Sequence, residues 1–383
     1  MITILDNQAY KTIPVNLELN VRERLNQLDQ WRKEFDAEDL ILEQKAKSLD
    51  LSDKRDAQIG KQIANQRRIL RQKLAQHPLE VHTEDIQNIG FEKLRLNLVI
   101  QFTELSVDER LLWLRNLLFI MTPDLRELIQ KIDRVISFSA LGQRRCFLLG
   151  GKSGMGKTTF LDWYMFHSRP SVGEISNIIR VLKVNAPVNN LSGRHFYRRI
   201  INAAGMTYSP RDDEEELLDK VIMIFENCHV ELFIVDEVEH MRSHELRRKL
   251  LEVSNLTSGI PIVCASCNPI RWAEGDDEIK GRWNDFYELQ PFTGERLSQL
   301  LAYLELLLPF PNLSRLSIMN ITDPKTGISR NIFEILTKGI LRDIMVLLLD
   351  ASEKAIQQNQ PNLTIDLLRN TWKGIQSDSI VND

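Results

Sequence analysis

Gly151-Lys152-Ser153-Gly154-Met155-Gly156-Lys157-Thr158 fits the pattern G-x-x-x-x-G-K-[ST], with Thr159 directly after it. Its flanks agree with that pattern. The apolar run Cys146-Phe147-Leu148-Leu149 reads as a buried strand, and Thr159-Phe160-Leu161-Asp162-Trp163-Tyr164 can open a helix. A Gly-rich turn between the two lets backbone N–H groups converge on phosphate oxygens, while the helix N-terminus adds partial positive charge. The expected nucleotide-binding residues are Gly151, Ser153, Gly154, Met155, Gly156, Lys157, Thr158 and Thr159. Lys157 is expected to bridge the β- and γ-phosphates of ATP, and the Thr158 hydroxyl to hold Mg2+. The competing reading is a chance Gly-rich turn.

Outward from the loop the chain alternates. A helix to about Ser168 is followed by a second strand, Ile178 to Val184, and a helix from about Gly193 to Ala204. The acidic run Asp212 to Glu216 sits where carboxylates favour the start of another helix. Leu232 to Val235, a helix from His244 to Asn255, Ile260 to Ala265 and a short Phe286 to Leu289 complete the series. Five strands with helices between them predict an α/β unit with a doubly wound, parallel five-stranded sheet. Ligands of such sheets sit at the carboxyl ends of the strands.

Those ends carry the remaining chemistry. Leu232 to Val235 runs straight into Asp236 and Glu237, two acids that are costly at the end of an apolar strand unless something there needs charge. In an ATP site Asp236 would orient Mg2+ through its water shell and Glu237 would polarise the attacking water; an acidic cap for the next helix is the alternative. The strand Ile260 to Ala265 ends in Ser266-Cys267-Asn268-Pro269, where a neutral amide could sense the γ-phosphate. Asn268 is the first choice for that role and Ser266 its competitor, with a simple turn residue before proline as the plainer reading.

With 383 residues, 43% of them hydrophobic, the chain can hold two or three domains with sizeable cores. A net charge of −4 announces no global affinity for nucleic acid, so any such surface must be local. Cys146, Cys228, Cys264 and Cys267 lie in or beside apolar runs, as reduced thiols do, and Cys264-Ala265-Ser266-Cys267 reads as a buried structural pair rather than a zinc or redox motif. The opening residues do not read as a signal peptide and no apolar run reaches membrane-spanning length, which predicts a cytoplasmic protein without membrane contact. Residues 1–140 read as almost entirely helical, with patterns over Leu17 to Phe35, Leu40 to Leu49, Asp53 to Gln76, Thr83 to Phe102 and Val107 to Ile120. Within the third, Lys61, Arg67, Arg68, Arg71 and Lys73 form a basic run, either a solvated face or a contact for DNA or an acidic partner.

Phosphate loop, Asp236-Glu237, a polar strand end, Arg282 in Lys280-Gly281-Arg282-Trp283, and Gly339-Ile340-Leu341-Arg342 in a helical C-terminal segment together resemble an AAA+ ATPase. More narrowly, residues 110–370 are similar to the TniB/TnsC group of transposition ATPases, through Asn185-Ala186-Pro187, the proline-closed strand end, Arg282 before the last strand, and Gly-x-x-Arg ahead of Leu347-Leu348-Leu349-Asp350-Ala351. The resemblance implies an AAA+ core over 141–291, a helical lid over 292–357, a tail over 358–383 and an all-helical N-terminal extension over 1–140. It implies ATP and Mg2+ as cofactors, assembly of a homo-oligomeric ring or filament on duplex DNA, a transposase partner and a TniQ-like adaptor. The long N-terminal extension departs from compact members of the group.

Two arginines then acquire expected roles. Arg342 could reach the phosphates from the lid of its own chain, a surface salt bridge being the alternative. Arg282 could enter a neighbour's site as a finger, or pair at the surface with Asp276 or Asp277. For DNA the most informative stretch is Val188 to Arg199: Arg194, His195, Arg198 and Arg199 fall on one helix, with Asn189, Asn190 and Ser192 ahead of it as neutral phosphate donors. A solvated helix face competes equally there, and Arg242, Arg247, Arg248 and Lys249 form a second basic run. Other functions stay open beside a transposition regulator: an origin initiator or helicase loader, for which the tail after Asn362 looks too short to hold a winged helix, and a signalling NTPase that needs no DNA.

Overall fold

The structure, a computed structural model, describes residues 20–49, 63, 79–115, 118–142, 145–168, 171–172, 177–187, 192–257, 259–274, 277–283, 285–322 and 327–381. The basic run Lys61 to Lys73, together with Asn189, Asn190 and Asp276, lies outside the described residues.

Before the central sheet come α1 (Val21–Lys47), β1 (Leu79–His82), α2 (Thr83–Ile89), α3 (Phe91–Thr103), α4 (Val107–Leu114), β2 (Leu118–Met121) and α5 (Pro123–Ala140). The sheet region holds β3 (Phe147–Gly151), α6 (Lys157–His167), β4 (Ser171–Val172), β5 (Asn177–Ile178), β6 (Val181–Asn185), α7 (Gly193–Ala203), α8 (Glu214–Asn227), β7 (Leu232–Asp236), α9 (His244–Leu256), β8 (Ile262–Ala265), α10 (Pro269–Ala273), α11 (Asp277–Arg282) and β9 (Asp285–Leu289). After it come α12 (Gly294–Leu306), β10 (Asn320–Thr322), β11 (Ser329–Asn331), α13 (Ile332–Thr337), α14 (Leu341–Gln357) and α15 (Ile365–Val381). The chain forms two compact units. One holds Pro123–Pro291 with Ile340–Arg342; the other holds Thr12–Thr122, Phe292–Gly339 and Asp343–Asp383, as far as these are described.

In the first unit five parallel strands are ordered β6-β7-β8-β3-β9. Consecutive strands β3 and β6 are not neighbours, because β8 and β7 lie between them, so the sheet is doubly wound. β3, β7 and β8 are buried at every residue, as strands covered on both faces must be. One core cluster joins Phe233 and Val235 of the sheet to Phe196, Tyr197 and Ile200 of α7, Val221 and Phe225 of α8, and Leu250 of α9. Phe225 stacks edge-on against Phe233 with centroids 5.2 Å apart. α8 begins where the acidic run predicts. Asp213 accepts from Glu216 N while Glu216 accepts from Asp213 N, both at 2.9 Å, satisfying two orphan donors of the first turn.

The second unit joins the N-terminal helices to the segment after the sheet. Phe102 and Trp113 meet edge-to-face at 5.5 Å, and Trp113 Nε1 donates to Leu307 O at 2.8 Å. The Arg95 guanidinium, 5% exposed, donates to Phe310 O at 3.0 Å. Glu305, whose carboxyl is pushed up by burial, accepts from Leu316 N at 3.0 Å.

Two expectations change here. The N-terminal region is not all helix: β1 pairs in parallel with β2, from Leu79↔Leu118 to His82↔Met121. The helix expected through Ile120 stops at Leu114, and the apolar run Leu118-Phe119-Ile120-Met121 becomes a strand, since a short apolar run carries no period that separates strand from helix. The end of the chain is also more than a tail. Residues 365–381 form α15, seated by the buried Leu363 and Leu368.

Candidate nucleotide site

β3 delivers the loop and α6 leaves it, as the motif requires. The parallel registers Val235↔Cys264 and Ala265↔Leu149 bring the ends of β7, β8 and β3 to one edge of the sheet. The loop is tight. Gly154 has φ +82°, and a Cβ there would lie 2.8 Å from Ile340 Cγ2 and 3.1 Å from Arg342 Cβ. Gly151 has φ +140°, with Leu289 O 2.9 Å from where its Cβ would be. Any side chain at either position would strain the backbone and crowd Ile340 and Arg342 or Leu289. Gly156 caps α6 in the left-handed conformation, and Lys157, Thr158 and Thr159 make its first turn. Met155 is buried. Lys157 Nζ, on a residue 9% exposed, donates to Gly151 O and to Lys152 O, and lies 3.8 Å from Cys267 Sγ.

Asp236 ends β7 and is 1% exposed. Its Oδ1 accepts from Glu237 N at 3.0 Å, whereas its buried Oδ2 has no hydrogen-bond partner. Glu237 is exposed and holds φ +59°, ψ +39°, a conformation uncommon outside glycine and enriched at functional sites. These residues fit a metal–nucleotide complex. A loop whose glycines admit no Cβ, a buried lysine beside it, and a carboxylate oxygen without a hydrogen bond are what a triphosphate and a hydrated Mg2+ would complete.

Arg342 stands against the loop, its backbone N donating to Gly154 O at 2.9 Å. Asn268 is used differently from the expectation: its Oδ1 accepts from Arg271 N at 3.2 Å and caps α10, while its own N donates to Ser266 Oγ at 3.2 Å. Arg282 sits at the amino end of β3, where its carbonyl accepts from Cys146 N at 3.1 Å. β3 runs from that point to the phosphate loop, roughly 15 Å at about 3.3 Å per residue. Its guanidinium donates to Asn255 Oδ1 at 2.6 Å and Glu278 Oε1 at 3.2 Å.

The basic face of α7 makes bonds within the unit. Arg194 donates to Asp212 O, Arg198 to Pro210 O at 3.1 Å, and Arg199 to Asn185 O and Ala186 O at 3.1 Å each. Arg198 also lies over the Tyr208 ring at 5.1 Å, and His195 Nδ1 is 3.1 Å from Ser192 Oγ. Together the arginines fasten the loop Tyr208–Asp212 and the end of β6 to the helix.

Three participants escaped the sequence reading. Lys183 Nζ, its side chain 6% exposed, lies 3.3 Å from Asp236 Oδ2 and is bonded to Asp162 Oδ1 on α6. The signal was present, a lysine inside the apolar run Val181-Leu182-Lys183-Val184, where charge is costly unless paired. Cys267 is exposed at the site rather than part of a buried pair with Cys264. Burial pushes its thiol up, Lys157 pulls it back, and neighbouring Glu239 pushes it up again. Glu239 brings a buried, unbonded Oε2 to the same corner.

Residues 110–290 match the family described as bacterial TniB protein. No curated protein matches the chain. Among solved structures, the chain resembles the Aeropyrum pernix ORC2 protein in its ADP form (18% identity, 65% of this chain and 67% of that one, TM-score 0.45). It also resembles the Aeropyrum pernix ORC1 protein in complex with DNA (14%, 67% and 67%, TM-score 0.47). A third is the Thermotoga maritima RuvB Holliday junction branch migration motor (13%, 71% and 73%, TM-score 0.41). At these TM-scores the likeness carries no functional weight. Among the described residues no helix is long and apolar enough to cross a membrane. With the phosphate loop, the acidic end of β7 and the five-stranded parallel sheet as its geometry, and the TniB match over the same residues, residues 110–290 are a TniB-like AAA+ ATPase region.

Proposed function

We propose that this ATPase is a cytoplasmic regulator of transposition. It assembles as a homo-oligomeric ring or filament on duplex DNA, couples a TniQ-like target-selecting adaptor to a transposase, and comes apart when ATP is hydrolysed. The observation that carries this reading is the coincidence, over residues 110–290, of the TniB match with a complete phosphate-binding edge.

Thr158 and Asp236 would hold Mg2+, which would supply charge to neutralise the triphosphate of ATP. Lys157, whose ammonium now rests on the loop carbonyls, would give its charge to the phosphates. Glu237, exposed just past the strand end, accepts the proton of the attacking water, and its backbone bond to Asp236 Oδ1 keeps it beside the metal ligand. Arg342, from the same chain, supplies positive charge beside Gly154. Asn268 positions α10 at the site and leaves its NH2 group for the γ-phosphate.

Arg282, a strand's length from its own loop, serves a neighbouring subunit. Its bonds to Asn255 and Glu278 hold the guanidinium ready at that border. An exchange experiment tests this role: Arg282→Ala and Lys157→Ala proteins, each inactive alone, should recover hydrolysis when mixed, and no recovery despite demonstrated mixing removes the role in trans.

DNA contact is assigned to the α7 face, where Arg194, Arg198 and Arg199 keep donors beyond those already bonded and His195 is exposed. Without a motif that reads bases, binding is sequence-independent and salt-sensitive. Electron microscopy with ATP, with and without duplex DNA, tests the whole reading. DNA-dependent rings or filaments are expected; assemblies indifferent to DNA would overturn it in favour of a switch that acts without DNA.

A further inference from the structure

Lys183 is a residue of this corner that the ATPase reading does not use. It sits midway along β6, paired in register with Ile234, while Asn185 pairs with Asp236. Its side chain is buried, its ammonium bonds Asp162 on α6, and it stands 3.3 Å from the unbonded Oδ2 of Asp236. Asp162 lies four residues after Thr158, on the same face of α6. The chain Asp162–Lys183–Asp236–Glu237 N therefore ties the helix that carries one metal ligand to the strand that carries the other.

We infer that Lys183 is an internal counter-ion of the nucleotide site, a positioning residue that holds Asp236 and keeps its carboxylate from drawing a divalent cation before a triphosphate arrives. The inference rests on the ATPase reading of this edge. The ammonium of Lys183 cancels the formal charge of Asp236, so a cation approaching that carboxylate alone meets an already compensated group. A triphosphate brings the extra negative charge that makes metal entry favourable. Without Lys183, Asp236 is a buried carboxylate with no compensating charge, and a free divalent cation becomes its natural partner. The arrangement makes metal and nucleotide arrive as a pair.

The test uses the full-length protein with Lys183→Met, Lys183→Gln and Lys183→Arg, and Mn2+ as the probe. Electron paramagnetic resonance reads Mn2+ binding without nucleotide, and a fluorescent ATP analogue reads nucleotide affinity with Mg2+ and with chelator. The parent and Lys183→Arg should bind Mn2+ weakly in the absence of nucleotide. Lys183→Met should bind it about tenfold more tightly, and a further Asp236→Asn change should remove that gain. Its ATP affinity should also depend less on added Mg2+ than the parent's. Lys183→Gln, which retains a hydrogen-bond donor, carries the same comparison if the methionine protein does not fold. Mn2+ binding equal to the parent's in the neutral variants overturns the inference, as does a gain shared by Lys183→Arg. A parent that binds no ATP analogue defeats the ATPase reading instead, so the two failures are distinguishable.

Discussion

The phosphate-binding edge and the arginine face of α7 were equally prominent in the sequence, yet they differ in what their polar groups still have to do. At the edge, Asp236 keeps a buried oxygen without a hydrogen bond, 3.3 Å from Lys183 Nζ, and Lys157 is held by carbonyls of its own loop and lies 3.8 Å from Cys267 Sγ. On α7, Arg194, Arg198 and Arg199 each close on backbone carbonyls of neighbouring segments. Each place keeps buried polar atoms without a hydrogen bond, Asp236 Oδ2 at the edge and Arg194 Nε and Arg198 Nε on α7, but the arginines already tie neighbouring segments to the helix through other donors, which makes that face a fastening whatever else it does. A cluster of charge in the sequence does not distinguish the two.

The sharpest way to break that contrast is Glu237→Gln. It should lower the ATP turnover rate by roughly a thousandfold, within the range for a lost general base, while the fluorescent ATP analogue still binds. Hydrolysis at the parent rate would reduce Glu237 to a cap for the short turn after β7. Next comes Lys157→Ala, expected to weaken ATP binding by about two orders of magnitude, since it removes charge-assisted bonds to phosphate, with the melting temperature little changed.

On the other side, Arg194→Gln with Arg198→Gln should act first on stability. Losing these ties should cost about 2 kcal/mol together, or roughly 4–8 °C in Tm for a unit of this size, and ATP affinity should stay within about twofold. Weakened DNA binding with an unchanged melting temperature would show that the face is a contact after all. The loop they hold also titrates. The hydrogen bond from Lys220 keeps the Asp212 carboxyl below its usual value. Its contribution is thus complete above about pH 4, where the unfolded carboxyl is also ionised, and fades as pH falls through the lower folded value. Acid unfolding of Asp212→Asn should lack that component.

The smallest effect concerns Cys267. Among the four thiols only this one is exposed, while burial lifts Cys146 to about 12 and Cys264 well above its ordinary value. A thiol reagent should modify Cys267 first, slowly at neutral pH because its own value is raised, faster as pH climbs, and a few-fold more slowly with ATP bound. Equal rates with and without nucleotide would place the thiol outside the site.

How much was legible follows from the kind of signal. Strands buried on both faces gave continuous apolar runs, and all five of the core sheet were readable within a few residues, as was the helix opening on Asp213. β1 and β2 were not, because pairing between residues 79–82 and 118–121 leaves no local trace in either segment. The loop and Asp236 were legible because each places costly groups at a fixed distance from a strand. Lys183 followed the same logic but was passed over, its charge hidden inside an apolar strand whose partner lies on another element. Asn268 shows the converse: its type suited a sensor, but its oxygen was already committed to a helix start.

Glu237 carries a last consequence, for anyone who evolves or stabilises this protein. Its left-handed backbone is a standing cost of about 1 kcal/mol or more in the folded state, one that glycine or asparagine would avoid. Selection for solubility or heat resistance alone will therefore favour replacements at residue 237, and the survivors will be sturdier proteins that have stopped turning over. If Glu237 serves hydrolysis as proposed, a screen meant to keep the ATPase active must score hydrolysis in every round, because thermal ranking rewards its loss.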